Sequence, residues 1–215
     1  MPVIDIKTSL AQIFANRGVP RLIKVDNGRP FGDPRRQGLP ILALWLIGKG
    51  IDIIWNRPRT PQDNAKVERC QQTMGRWTQC KSAKSMEDLQ RSLHQQAKFY
   101  NYTFRDRRRG NTTRAERFPT LKHTGRKFVG EQLDTQRIAD FVAQGKWNRA
   151  VSKNGQVTIS GFRFSIGQVY AGLRVDLKLD PATKCWHLYN LQGKLIQKTT
   201  TQIWDKWISQ IKTIT

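Results

Sequence analysis

Acidic residues are scarce in this sequence: 16 Asp and Glu stand against 38 Lys and Arg, leaving a formal net charge of +22 over 215 residues. Cysteine is nearly absent. Cys70, Cys80 and Cys185 are odd in number and lack metal-ligand spacing, so they suggest neither a disulfide framework nor a zinc site and fit a reducing cytosol. No apolar run approaches the roughly 20 residues that span a bilayer. The start, Met1-Pro2-Val3-Ile4-Asp5, has no charged n-region of a signal peptide. His94, His123 and His187 are scattered and give neither a ligand set nor a base. There is no internal repeat and no low-complexity tract. What remains is a globular chain, one domain plus a smaller one, whose positive excess calls for a polyanionic partner. Nucleic acid is the expected one, because each cation placed on a phosphate releases a counterion. An anionic membrane is not expected, since such partners are met by a basic amphipathic helix.

Helical spacing of Leu10, Ile13 and Phe14 predicts a first helix, capped by Thr8 or Ser9 and ended by Gly18 before Pro20. A short buried strand is expected at 21–25, then a loop at 28–38. Leu39 to Gly48, apolar on nearly every side around Trp45, reads as a buried helix closed by Gly48 and Gly50. "IDIIW", 51–55, reads as a strand. "NRPRTPQDN", 56–64, is read as irregular because Pro58 and Pro61 remove donors. Asn64 is the expected cap of a helix burying Val67, Cys70, Met74 and Trp77, and a second amphipathic helix is expected from Met86 to Tyr102. Trp45, Trp55 and Trp77 read as core rather than as nucleotide platforms.

Residues 103–149 read as a basic linker, of which Thr103 to Lys127 alone carries +7. From about 150 the period changes to two. In "LRVDLKLD" Leu173, Val175, Leu177 and Leu179 share one side. With "GQVTIS", "FRFSIG", "CWHLYN" and "KLIQKT" between turn signals, the spacing suggests a small β-barrel over 150–198. A helix over 199–215 carries Trp204 and Trp207, either docked on that barrel or available to join protomers.

One stretch raises a question of chemistry. "LIKVDNGRPFG", 22–32, puts Asp26 where a strand ends and then breaks into Asn-Gly-Arg-Pro, so Asp26 is either a turn residue or a ligand. Asn-Gly is a hairpin cue, but no returning strand follows. Glu68 alone reads as a helix-start carboxylate.

Taken together, "DNGRPF" (26–31), "GI" (50–51), "RPRTPQDNAKVER" (57–69) and "YN" (100–101) resemble the catalytic core of DDE transposases of the retroviral-integrase superfamily, in particular the bacterial insertion-sequence type. Residues 151–180 look like the SH3-like or Mu-type barrel that follows such cores. The resemblance implies an α/β fold: a partial RNase H-like integrase core at 1–102, the linker, an SH3-like β-barrel at 150–198 and a C-terminal helix. Asp26 corresponds to the family's second acid and Glu68 to its third, 41 residues lying between them. Both are implied to be catalytic and to hold Mg²⁺ or Mn²⁺, hard cations that take oxygen ligands and clamp the attacking and leaving oxygens in phosphodiester chemistry. Asn64, Lys66 and Arg69 are implied to touch DNA.

The family's first Asp has no counterpart at the front of this sequence, with Asp5 the nearest candidate, so the chain is not expected to be catalytically competent alone. The missing neighbour of the Val25 strand would leave a sheet edge open for another chain. Among the linker cations, Arg105, Arg107, Arg108 and Arg109 are expected on phosphates rather than merely solvated. The expected partners are DNA and either a second copy or a full-length transposase, in the bacterial cytoplasm at the nucleoid. The rival reading is a non-catalytic DNA-binding regulator or assembly factor derived from a transposase. An RNA-binding barrel is a third.

Overall fold

A computed structural model describes residues 2–32, 40–78, 80–119, 123–130, 132–145, 147–159 and 161–213, without the side chains of Cys80 and Arg109. The fold is mixed α/β, with helices, a parallel strand pair and several antiparallel strands. The chain forms two compact units, one of residues 1–15, 19–55 and 127–215, the other of residues 16–18 and 56–126.

The first unit is organised around one apolar helix. Helix α1 (Val3–Arg17) leads to strand β1 (Leu22–Val25), helix α2 (Ile41–Gly48) and strand β2 (Asp52–Trp55). β1 and β2 pair in parallel, Leu22 opposite Asp52 and Val25 opposite Trp55. Pro40 precedes α2, and its fixed φ suits the entry to a helix. Every α2 residue from Leu42 to Gly48 is buried. Leu42, Leu44, Leu46 and Ile47 are at most 3% exposed, and burial of each contributes about 1.5–3 kcal/mol.

The cover for α2 comes from distant sequence. Helix α6 (Thr135–Ala143), capped by the Asp134 carboxylate on the Arg137 N–H at 2.9 Å, packs on it through Ile138, Ala139 and Val142. Gly48 permits this approach: a Cβ there would lie 2.4 Å from Leu133 Cδ1. Phe14 stacks on Trp45 with centroids 6.2 Å apart, and Phe128 closes the trio at 5.9 and 6.4 Å. The Lys49 ammonium donates to the carbonyls of Val129, Gly130 and Gln132, tying the segment before α6 to the end of α2.

Antiparallel strands β3 (Trp147–Ala150), β6 (Arg174–Leu179), β7 (Trp186–Tyr189) and β8 (Leu195–Lys198) form one sheet in that order. β4 (Gln156–Ile159) and β5 (Phe162–Ser165) form a separate hairpin. Among the described residues no closed barrel is formed. Helix α7 (Gln202–Thr213) docks back within its own unit: Trp204, Trp207, Ile208 and Ile211 are buried, Trp207 lies 6.3 Å from Trp186, and α7 also packs on α2. The second unit holds α3 (Ala65–Thr78), α4 (Met86–Tyr102) and the four-residue α5 (Arg114–Arg117). No helix among the described residues is long and apolar enough to cross a membrane.

Several expectations are corrected. α1 begins at Val3, so Thr8 and Ser9 lie inside it rather than capping it; Gly18, at φ +78°, does end it. β1 is not a buried strand: Leu22 is 46% exposed and only Val25 is buried. Val67 is 57% exposed and Cys70, Met74 and Trp77 are half-buried, because α3 packs on α4 alone among the helices of its unit along that face. Leu173, just before β6, is 55% exposed while Val175, Leu177 and Leu179 are buried, because the strand alternation begins at Arg174. The segment 103–149 is not bare connection, since it contains α5 and α6. Leu39 and residues 33–38 of the expected loop lie outside the described residues.

Leu44→Ala removes a side chain with no exposure and is expected to destabilise the first unit by about 2–5 kcal/mol. Val67→Ala on exposed α3 is expected to cost no more than about 0.5 kcal/mol. Denaturant titration with tryptophan fluorescence measures both, and equal costs would contradict the central role of α2.

Candidate functional site

Asp26 stands immediately after β1, exposed, at the carboxyl end of the strand. Its Oδ1 accepts the Gly28 N–H at 3.0 Å, a side chain bonding its own backbone two residues on, which shapes the exit turn. The turn continues with the Gly32 N–H on the Gly28 carbonyl at 2.8 Å. A Cβ at Gly32 would meet the Asn27 carbonyl oxygen at 2.2 Å, so only glycine fits the closing position. The Trp55 indole N–H, from the end of β2, donates to the Phe31 carbonyl at 2.9 Å and pins the turn against the parallel pair. Asp26 is thus a turn residue whose Oδ2 meets no hydrogen-bond donor among the described residues. Asp5 lies in the first turn of α1, where the helix dipole favours a carboxylate.

Glu68 belongs to the second unit, exposed in the first turn of α3, with no partner among the described residues. The loop before it is more ordered than its prolines suggest. Pro61–Asp63 forms a 3₁₀ turn. Asp63 receives the Arg57 backbone N–H at 3.0 Å and the Arg57 guanidinium at 2.9 and 3.2 Å, and this carboxylate raises the Arg57 pKa above its already high value. Asn64 stands at the helix start, but its Oδ1 accepts from Asn56 Nδ2 at 2.7 Å instead of capping the helix. Lys66 and Arg69 are exposed on α3. Asn64, Lys66, Glu68 and Arg69 are therefore held within one short helix start. Asp26 lies in the other unit. Among the described residues, no three His, Cys, Asp or Glu side chains come together as a metal-holding group.

The arginine segment divides by role. Arg105 forms a two-pronged pair with Glu116, at 2.9 and 3.3 Å, and also donates to the Asn111 carbonyl at 2.9 Å. Arg107 and Arg108 lie exposed on a 3₁₀ turn, with no side-chain partner among the described residues. The Arg109 side chain lies outside the described residues. A capping box explains why this loop is ordered: Thr113 Oγ1 accepts the Glu116 N–H at 3.1 Å and Glu116 accepts the Thr113 N–H at 2.9 Å. That Thr113 N–H, more than the nearby Arg105, holds the Glu116 carboxyl below its ordinary range.

Sequence reasoning passed over Arg114. Its guanidinium lies 3.4 Å from the Tyr100 ring centroid and donates to the Tyr100 carbonyl at 3.1 Å. Tyr100, Phe99 and Phe104 surround Trp77 at 5.2–5.8 Å. The ring spacing along α4 was readable, whereas the arginine that closes it was not. The Thr-x-x-Glu pattern at 113–116 was the available signal.

No protein-family model matches the chain.

Because Glu116 has a depressed pKa in the folded chain, its contribution is present above the unfolded value, near 4.5, and is lost as pH falls through the lower folded value. Protection of the Thr113 and Glu116 amides from exchange should therefore fall as pH drops through that lower folded value, and Glu116→Ala, which leaves the Thr113 N–H no side-chain acceptor, should lower it already at neutral pH. Insensitivity of both amides to acid would remove Glu116 from this role. Arg114→Lys keeps the charge but loses the planar stack, and should lower the stability of the second unit by about 1 kcal/mol, read by the same exchange.

Proposed function

We propose that this chain is a DNA-binding protein derived from a DDE transposase of the bacterial insertion-sequence type. In this reading residues 1–102 are the later part of an RNase H-like integrase core and residues 150–198 descend from an SH3-like barrel. The observation that carries it is the order of elements: a strand followed at once by Asp26-Asn27-Gly28, an apolar helix, a parallel second strand, and a helix with Glu68 in its first turn. A net charge of +22 supports a polyanionic partner.

Both carboxylates suit a hard divalent cation: among the described residues, Asp26 Oδ2 has no donor and Glu68 is exposed and unpartnered. Asp26 and Glu68 would hold Mg²⁺ or Mn²⁺, which would stabilise charge on the reacting phosphodiester oxygens. Asn64, Lys66 and Arg69, beside Glu68, would orient the strand. Arg107 and Arg108 would meet phosphates, and Arg105, committed to Glu116, would act by fixing their loop. With only two matched acids the chain alone is not competent for strand transfer; a third acid would come from Asp5 or another chain, through a second copy or a full-length transposase. In the cell the protein would work in the cytoplasm, at the nucleoid.

One observation favours a second reading, a non-catalytic regulator or assembly factor. The Asp26 carboxylate has a structural task in its turn, and that task would preserve it without catalysis.

Asp26→Asn keeps an oxygen for the Gly28 N–H while removing the charge, and so separates the two tasks. Labelled duplex DNA should be bound with steep salt dependence by wild type, Asp26→Asn and Glu68→Gln alike, with no nicking in Mg²⁺ or Mn²⁺. Metal-dependent nicking lost in both variants would make the chain an enzyme with a third ligand. Absence of binding at low salt would end the DNA reading altogether.

A further inference from the structure

A cleft of about 350 Å³ opens in the first unit between β5, the end of β8 and the start of α7. Arg163, Lys198 and Lys206 line it, and among the described residues no carboxylate does. All three side chains are exposed, and none makes a hydrogen bond or ion pair among the described residues. Asp205, next to Lys206 on α7, is not part of the lining. Three cations with no internal counter-charge repel one another, and a concave surface concentrates their potential. An anion in the cleft relieves that repulsion.

The walls are fixed before any ligand arrives. Thr199 is clipped to β7 by two bonds, its N–H on the Trp186 carbonyl at 2.9 Å and its Oγ1 accepting the Trp186 N–H at 3.0 Å. Trp204 and Trp207, perpendicular at 5.9 Å, anchor α7 in the core. Phe162 and Phe164, half-buried, pack against the core from the face of β5 opposite exposed Arg163 and so hold that strand in place. Arg163 faces Thr158 across its hairpin, which sets its height on the strand. A second cleft of about 310 Å³, lined by Lys7, Lys49 and Lys212, lacks this character. There the Lys49 ammonium is engaged by three carbonyls and Lys7 donates to the Lys212 carbonyl at 3.0 Å.

We propose that the Arg163–Lys198–Lys206 cleft is a binding site for the phosphodiester backbone of duplex DNA. Its volume equals that of roughly ten waters, room for a phosphate with its adjoining sugars. Arg163 offers a planar fork to one phosphate, and the two lysines act as point charges on its neighbours. This inference rests on the DNA-binding reading above and deepens it by assigning contacts outside the Asp26 and Glu68 regions.

The test is a salt series of binding to a labelled duplex, comparing the wild type with R163Q/K198Q/K206Q. A control, K84Q/K153Q/K194Q, removes equal charge from exposed lysines outside the cleft. Three phosphate contacts contribute about 2.7 to the log–log slope, so the cleft variant should lose that much slope. Between 50 and 200 mM salt its affinity should then fall about 40-fold less than the wild type's. The control should keep a wild-type slope. Unchanged binding by the cleft variant, or an equal loss in the control, overturns the cleft while leaving the DNA reading intact. A wild type that ignores duplex DNA overturns that reading and the cleft with it. Tighter binding of a duplex RNA of equal length through the same three residues would overturn the assignment to DNA.

Discussion

An eight-residue helix with no polar face must be covered on every side, and the first unit depends on that requirement. α2 offers water nothing, from Leu42 to Gly48. Its cover is assembled from Phe14 of α1, Phe128, α6 and α7, segments that lie as far as residue 213 along the chain. Hydrophobic burial is non-directional, so the placement comes from polar details at the edges: the Asp134 cap, the Lys49 ammonium on three carbonyls, and the missing Cβ of Gly48. The β1–β2 pair, only two strands wide, is stable because Ile23 and Ile53 lean on the same core.

The second unit has no such centre. Among the described residues of its helices only Thr78 is buried, and its order rests on a ring cluster at Trp77, the Arg114 stack and a polar mesh around Glu116, Asp63 and Arg57. Interactions of that kind are weaker singly and more sensitive to charge than apolar burial. Glu68, Lys66 and Arg69 therefore sit on a frame more sensitive to pH and salt than the strand that carries Asp26.

Periodicity made most elements legible. Alternation in 174–179 gave β6, the all-apolar run gave α2, and helical spacing from Met86 gave α4, whose cap, the Ser85 hydroxyl accepting the Asp88 N–H at 3.1 Å, went unread. Less readable was anything set by partners distant in sequence. α6 is nine residues long inside a segment dominated by charge, and its packing on α2 and β6 explains it. The expected barrel rested on strand count, whereas β4 and β5 pair only with each other among the described residues. At the candidate site the acids were visible as residue types. Their surroundings were not: the Asp26 turn bond, the Asn56–Asn64 amide pair and the commitment of Arg105 to Glu116 are facts of geometry.

The cover of α2 also has a consequence in time. A ribosome that has just made Gly48 must add 165 more residues before the last turn of α7 exists. At about 5–20 residues per second that takes on the order of 10–30 s. Until residue 143 is added the most apolar segment of the chain lacks α6, and until residue 213 is added it lacks the whole of α7. The second unit, whose residues 56–126 are made in one stretch within that interval, can close on its own helices first. Synthesis order and folding order are thus inverted for the first unit, whose opening third waits on its final helix.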